Sequence, residues 1–154
     1  MAEIFYDDSA DLCLIQRRHV AVLGYGSQGH AHALSLSDSG ADVRGGLPAG
    51  SATRDRAEAD GLRVLTPAEA CEEADLVMVL VPDHLQRGLY AGAIAPSLGE
   101  GDALFLAHGL NIRDDLIGAG KPNFLKRRKA EQSGRIEQVG AKPRPLKSWL
   151  TADD

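Results

Sequence analysis

His19-Val20-Ala21-Val22-Leu23 runs directly into Gly24-Tyr25-Gly26-Ser27-Gln28-Gly29, and the residues from Ser27 to Ser39 then reach Gly40 without a breaker. A short apolar run that ends in glycine predicts a strand. A stretch of that length closed by glycine predicts a helix. Between them stands a G-x-G-x-x-G turn, in which each glycine has a separate job. The first permits the tight turn, the second lets backbone approach a pyrophosphate, and the third lets helix and strand pack closely. Amide groups at the start of the helix then face the anion. A bare glycine-rich turn would satisfy the pattern too. Here the turn follows a strand, opens a helix and carries no acid between Gly24 and Ser37, which favours phosphate.

Outward from that turn the signals alternate. Ala41 to Gly46 predicts a second strand, Thr53 to Asp60 a second helix stopped by Gly61, and Leu62 to Leu65 a third strand. Thr66-Pro67-Ala68-Glu69 combines an N-cap, a proline at the first helical position and a glutamate at the third, so a helix starts at Pro67. Leu76 to Val81 is apolar without alternation, as expected of a central strand covered on both faces. Asp83 and Gln86 are candidate caps for a helix reaching about Ile94, and Ala103 to Ala107 is a fifth strand. Four strand-helix steps and a closing strand predict an α/β fold, a doubly wound parallel sheet of the Rossmann type, over residues 1–117.

The choice of dinucleotide turns on the end of the second strand. NAD binders usually carry an acid there, about 20 residues past the first glycine, to hold the ribose diol. Arg44 stands at that place, and Asp42 comes too early in the strand to reach a ribose. Ser51, Thr53 and Arg54 follow in the loop, and hydroxyl and guanidinium donors suit a 2′-phosphate. NADP is therefore favoured over NAD. Ser51 and Thr53 could equally cap the second helix, and the two roles are compatible.

The chain has 154 residues, 44% of them hydrophobic, enough for one ordinary core. Its formal charge of −5 is unevenly spread. Residues 1–117 hold eight basic and eighteen acidic side chains, while residues 118–154 hold nine basic and four acidic, in a stretch dense in Gly, Pro, Lys and Arg. That tail is expected to be poorly structured or partly helical. Lys126-Arg127-Arg128-Lys129 has few aromatic neighbours, which disfavours nucleic acid as a partner. No apolar run approaches the roughly 20 residues of a membrane span, and an acidic N-terminus is unlike a signal peptide, so the expected location is the cytoplasm. Cys13 and Cys71 have no metal-binding or disulfide pattern around them. His30 and His32 lie two apart on a helix and point in different directions, which suits packing rather than a shared metal.

Asp7-Asp8, Asp11-Leu12, Gly24-Tyr25-Gly26-Ser27-Gln28-Gly29-His30-Ala31-His32-Ala33, Thr66-Pro67-Ala68-Glu69, Val81-Pro82-Asp83 and His108-Gly109-Leu110-Asn111-Ile112 together resemble the opening of ketol-acid reductoisomerase. The likeness runs from Met1 to about Arg113. It implies an oxidoreductase of branched-chain amino-acid (isoleucine and valine) biosynthesis, which converts 2-acetolactate to 2,3-dihydroxyisovalerate by an Mg²⁺-assisted alkyl shift and a reduction by NADPH. The resemblance places the pyrophosphate on Gly24, Tyr25, Gly26, Ser27, Gln28 and Gly29, the 2′-phosphate on Ser51 and Thr53, and the crevice wall at Pro82 and Asp83. It makes His108 the active-site histidine.

After His108-Gly109 the family continues with a lysine-bearing segment and a large helical domain whose carboxylates bind magnesium. This chain instead has Asp114-Asp115 and then residues 118–154, of which Arg135 to Lys142 and Ser148-Trp149-Leu150 resemble the family's extreme C-terminus. The expectation is a truncated enzyme: a cofactor domain with no metal site of its own and an incomplete catalytic centre. The competing reading is a nucleotide-responsive binding module without chemistry, acting as a homo-oligomer or with a partner chain.

Overall fold

Val20, Ala21, Val22 and Leu23 are all fully buried, so the strand that holds them must lie inside the sheet. The computed structural model describes residues 11–108 and 110–113, and it places β1 (His19–Leu23) in the middle of five strands. The others are β2 (Asp42–Gly46), β3 (Arg63–Leu65), β4 (Leu76–Val79) and β5 (Ala103–Leu106). Their order is β3-β2-β1-β4-β5, and every pairing is parallel. The chain thus winds outward from β1 in one direction, returns, and winds outward in the other. The reversal falls between β1 and β4, where a crevice opens beyond the strands' carboxyl ends.

Helices cover both faces. Beneath α2 (Ser27–Asp38) and α3 (Arg54–Ala59), Val20, Val22, Ala33, Val43 and Ala57 form one core. Beneath α4 (Pro67–Glu72) and the long helical segment after β4, Ala21, Leu23, Ala70, Val77, Val79 and Ile94 form the other. β4 is interior as expected, but it stops at Val79 and its faces differ. Val77 and Val79 are buried, while Leu76 and Met78 are only half-buried.

The expected helix to Ile94 is present in three pieces. Asp83–Leu89 is α5, Tyr90–Ile94 is a π-helical turn, and Ala95–Ser97 is the short α6. Such a turn arises when a residue is inserted into the helical ladder, and no residue type announces it. Two short helices add to the expected elements, α1 (Cys13–Gln16) before β1 and α7 (Leu110–Arg113) after β5. No helix among the described residues is long and apolar enough to cross a membrane. The basic tail and Asp114-Asp115 lie outside the described residues.

The start of α4 follows the sequence closely. Thr66 accepts from the Glu69 backbone amide, the Glu69 carboxylate accepts from the Thr66 amide, and Pro67 fills the first helical position. Thr66→Ala removes one half of this box. An urea melt is expected to show a loss of about 1 kcal/mol, the usual worth of such a cap.

Candidate functional site

The three glycines of the turn divide their work as the motif requires. Gly24 has φ +99°, and a Cβ there would sit 2.9 Å from a Val81 methyl and 3.1 Å from the Leu80 carbonyl. A Cβ on Gly29 would run into the Gly24 carbonyl oxygen, so helix and strand meet there at backbone distance. Gly26 differs from both. A Cβ there would meet nothing within 4 Å, because the backbone faces open space.

That space is a crevice of about 480 Å³ lined by Gly24, Tyr25, Gly26, Ser27 and Gln28 on one side and by Leu80, Val81, Pro82, Asp83, Gln86, Ala107 and His108 on the other. Gly26 is the N-cap of α2 in extended conformation, with no side chain to satisfy the first amides, and the first turn carries no acid. A twelve-residue helix therefore offers free amide donors and the positive end of its dipole to the crevice.

Tyr25 belongs to this wall. Its ring is 3% exposed and turns inward, the phenol donates to Asp60 at 2.9 Å, and the His30 ring lies edge-on at 5.5 Å. Burial, and then the Asp60 carboxylate, push the phenol up to about 12. His30 lies 3.5 Å from the same carboxylate and packs as expected, whereas His32 is exposed and does not. Asp60 thus fastens the glycine turn to the end of α3.

The opposite wall is held by a buried amide network. The Gln86 side-chain NH₂ donates to the Val81 carbonyl at 3.2 Å and to the Asp83 carboxylate at 3.1 Å. Asn111 donates to the Gln86 side-chain oxygen at 2.8 Å and to the Asp83 carbonyl at 3.0 Å. Asp83 and Gln86 therefore bond each other rather than capping α5, whose N-cap is Pro82. Nδ1 of His108 lies 3.6 Å from the Asp83 carboxylate and accepts from the Leu110 amide at 3.3 Å. The His108 side chain is largely exposed, toward the crevice it lines. Asn111 was not among the candidate residues. It belongs to the quoted string around His108, but only the fold shows it reaching back 25 residues to Gln86.

Arg44 is a correction. Its side chain is 7% exposed and lies beneath α4, with Nε 2.7 Å from Glu73 and Nη2 3.2 Å from Asp42. The strand runs on to Gly46, so residue 44 is in mid-strand rather than at its end, and the guanidinium is committed to a structural ion pair. Ser51 and Thr53, beyond the end of β2, share a hydroxyl hydrogen bond of 3.0 Å. The Thr53 side chain does not cap α3. Arg54 is held by Glu58 and by the Val64 carbonyl. Of the donors expected for a 2′-phosphate, the two hydroxyls remain.

Glu73 also accepts from Arg63 at 2.7 Å, and the two guanidiniums hold its carboxyl below the ordinary value of 4.5. A carboxyl depressed by folding adds stability above its unfolded-state pKa and loses it as pH falls through the folded-state value. The urea midpoint is therefore expected to fall on acidification below about pH 4.5, and Glu73→Gln should make that fall shallower. Cys13 and Cys71 are both free thiols. Burial pushes Cys71 up to about 12, which leaves it unreactive. Among the described residues no three His, Cys, Asp or Glu side chains gather where they could hold a metal.

A parallel sheet wound in both directions, with an open glycine turn at its reversal point, defines a dinucleotide-binding domain of the Rossmann type. Residues 14–123 match the family model of the acetohydroxy acid isomeroreductase NADPH-binding domain, and the chain belongs to that family. It is 70% identical over 115 residues to the ketol-acid reductoisomerase (NADP(+)) of Saccharopolyspora erythraea, covering 75% of this chain and 35% of that one. Against the enzyme of the same name from Renibacterium salmoninarum it is 66% identical over 113 residues, covering 73% and 33%. A solved NADH-preferring ketol-acid reductoisomerase from an uncultured archaean superposes with a TM-score of 0.72 at 33% identity, over 86% of this chain and 45% of that one. The chain thus spans about a third of the length of the curated relatives it matches.

Proposed function

We propose that this chain binds NADPH as the cofactor domain of a ketol-acid reductoisomerase, with Gly24 to Gly29 on the pyrophosphate and Pro82, Asp83 and His108 forming the nicotinamide-side wall. The observation that carries the reading is the empty space at Gly26. It fronts the first amides of α2, which no side chain caps, and a side chain at residue 26 would project into it. When bound, the nicotinamide supplies a hydride. The chain's own part is to hold the phosphates on amides, to cover one cofactor face with Val81 and Pro82, and to present the His108 imidazole at the crevice mouth. Direct titration with NADPH tests the reading, and an absence of binding at millimolar cofactor would refute it.

On this proposal residues 1–117 form the cofactor unit and residues 118–154 a separate basic tail. Cofactor preference within the family is open to local control, since curated relatives carry NADP(+) in their names and a solved one prefers NADH. Here Ser51 and Thr53 are the residues for a 2′-phosphate, as donors in the loop that follows β2. NADPH is expected to bind more tightly than NADH, and Ser51→Asp with Thr53→Asp to reverse the order through repulsion of the dianion. Calorimetry that found equal affinities in the parent chain would remove these two residues from the site.

A further inference from the structure

We infer that Asn111 and Gln86 are positioning residues, a buried amide pair that fixes α7 against the start of α5 and so sets where the Leu110 amide holds His108 at the crevice. Gln86 is 1% exposed and Asn111 3%, so neither amide has water as an alternative partner. Donor and acceptor chemistry leaves one arrangement. The Val81 carbonyl and the Asp83 carboxylate can only accept, so Gln86 must turn its NH₂ toward both. Its oxygen then faces Asn111, which must donate. The second Asn111 hydrogen goes to the Asp83 backbone carbonyl, so both the main chain and the side chain of Asp83 are fixed by the same pair.

The consequence reaches His108 through geometry. One Asp83 oxygen is taken by Gln86, and the other faces Nδ1 of His108 at 3.6 Å. The Leu110 amide donates to that same Nδ1, and Leu110 is the first residue of the short helix that carries Asn111. The Leu110 amide of α7 thus holds His108 at Nδ1, the Asp83 carboxylate lies beside the ring without a hydrogen bond to it, and Asn111 ties Asp83 to α7. With Nδ1 accepting a backbone proton, the neutral ring carries its own proton on Nε2.

Asn111→Asp keeps the shape and replaces the donating NH₂ with an acceptor, setting oxygen against the oxygens of Gln86 and Asp83. Gln86→Met keeps the volume and removes the bonds altogether. The readout is the set of histidine ring signals in NMR spectra of the labelled chain without cofactor, with His19, His30 and His32 as internal controls. Both variants are expected to shift or broaden the His108 signals and leave those of His19, His30 and His32 in place. In NADPH titrations both are expected to weaken affinity by about tenfold, the scale of one buried polar group left unpaired. Unmoved His108 signals in either folded variant would overturn the inference. If Asn111→Asp does not fold, Gln86→Met decides the matter, and Asn111→Ser, which keeps one donor, is expected to give an intermediate His108 shift. Only the affinity arm rests on the proposed cofactor site. A parent chain that bound no NADPH would defeat that proposal and leave the spectroscopic test intact.

Discussion

Gly26→Val is expected to fold with a melting temperature close to that of the parent chain and to lose NADPH binding. A Cβ at Gly26 meets no protein atom within 4 Å, and the residue's φ of −78° is one that any L-residue adopts. The substitution therefore costs the apo fold little, and its methyls enter the space in front of the α2 amides. Hydrogen bonds to a charged group are worth about 1.5–3 kcal/mol each, so losing two weakens binding by at least about a hundredfold. Gly29→Ala is the contrasting control. Its methyl would strike the Gly24 carbonyl oxygen, and that backbone cannot move without opening the β1–α2 turn. It is expected to destabilise the fold by about 1–3 kcal/mol or more, as overpacking does. Thermal melts and calorimetry on the two variants separate loss of ligand from loss of fold. Parent-like affinity in Gly26→Val would show that the pyrophosphate does not lie on this turn.

The contrast also shows what the sequence could carry. β1, β4 and β5 were legible because each is a short apolar run set off by glycine, a cap or a turn, a pattern that a parallel sheet covered by helices demands, while the mixed β2 and β3 followed from the alternation around them. The glycine turn was legible because three backbone requirements coincide within six residues. Arg44 was misplaced for a related reason. Counting about 20 residues from Gly24 selected Arg44 as the strand's end, although the strand read from the sequence already ran two residues further, to Gly46. Gly46 itself marks that end. A Cβ there would press on Leu23 and come within 3.2 Å of the Ala70 side chain. Tyr25 lines the crevice, and only the fold shows that its phenol donates to Asp60. The Gln86–Asn111 pair needed the tertiary fold. No local spacing joins residues 25 apart in sequence, and only the return of the chain after β5 brings α7 onto α5.

Incubated with Mg²⁺, NADPH and 2-acetolactate, this chain is expected to show no metal-dependent consumption of NADPH, even though it binds the cofactor. The alkyl shift proposed for the whole enzyme needs a divalent cation on fixed oxygen ligands, and a two-metal centre needs bridging ones. Among the described residues no three potential ligands converge. Asp83 and His108 do meet at the crevice, but one Asp83 oxygen is held by Gln86 and Nδ1 of His108 accepts from the Leu110 amide. The remaining donors are too few for the six oxygens of an octahedral Mg²⁺ site without most of them being water. Among the described residues a developing oxyanion would also lack a fixed cationic partner in the crevice, whose lining there includes no lysine or arginine. Loss of a comparable donor costs about 10²–10³ in rate. Reduction of the already rearranged ketoacid asks for less, a positioned nicotinamide and a ketone, so a trace of metal-independent turnover there is compatible with the same structure. The decisive measurement follows absorbance at the NADPH band with each substrate, with and without Mg²⁺. Turnover of 2-acetolactate at about 1 s⁻¹ or faster, in the range of ordinary enzymes, would mean that residues outside those described supply the metal ligands and that the chain is a complete catalyst.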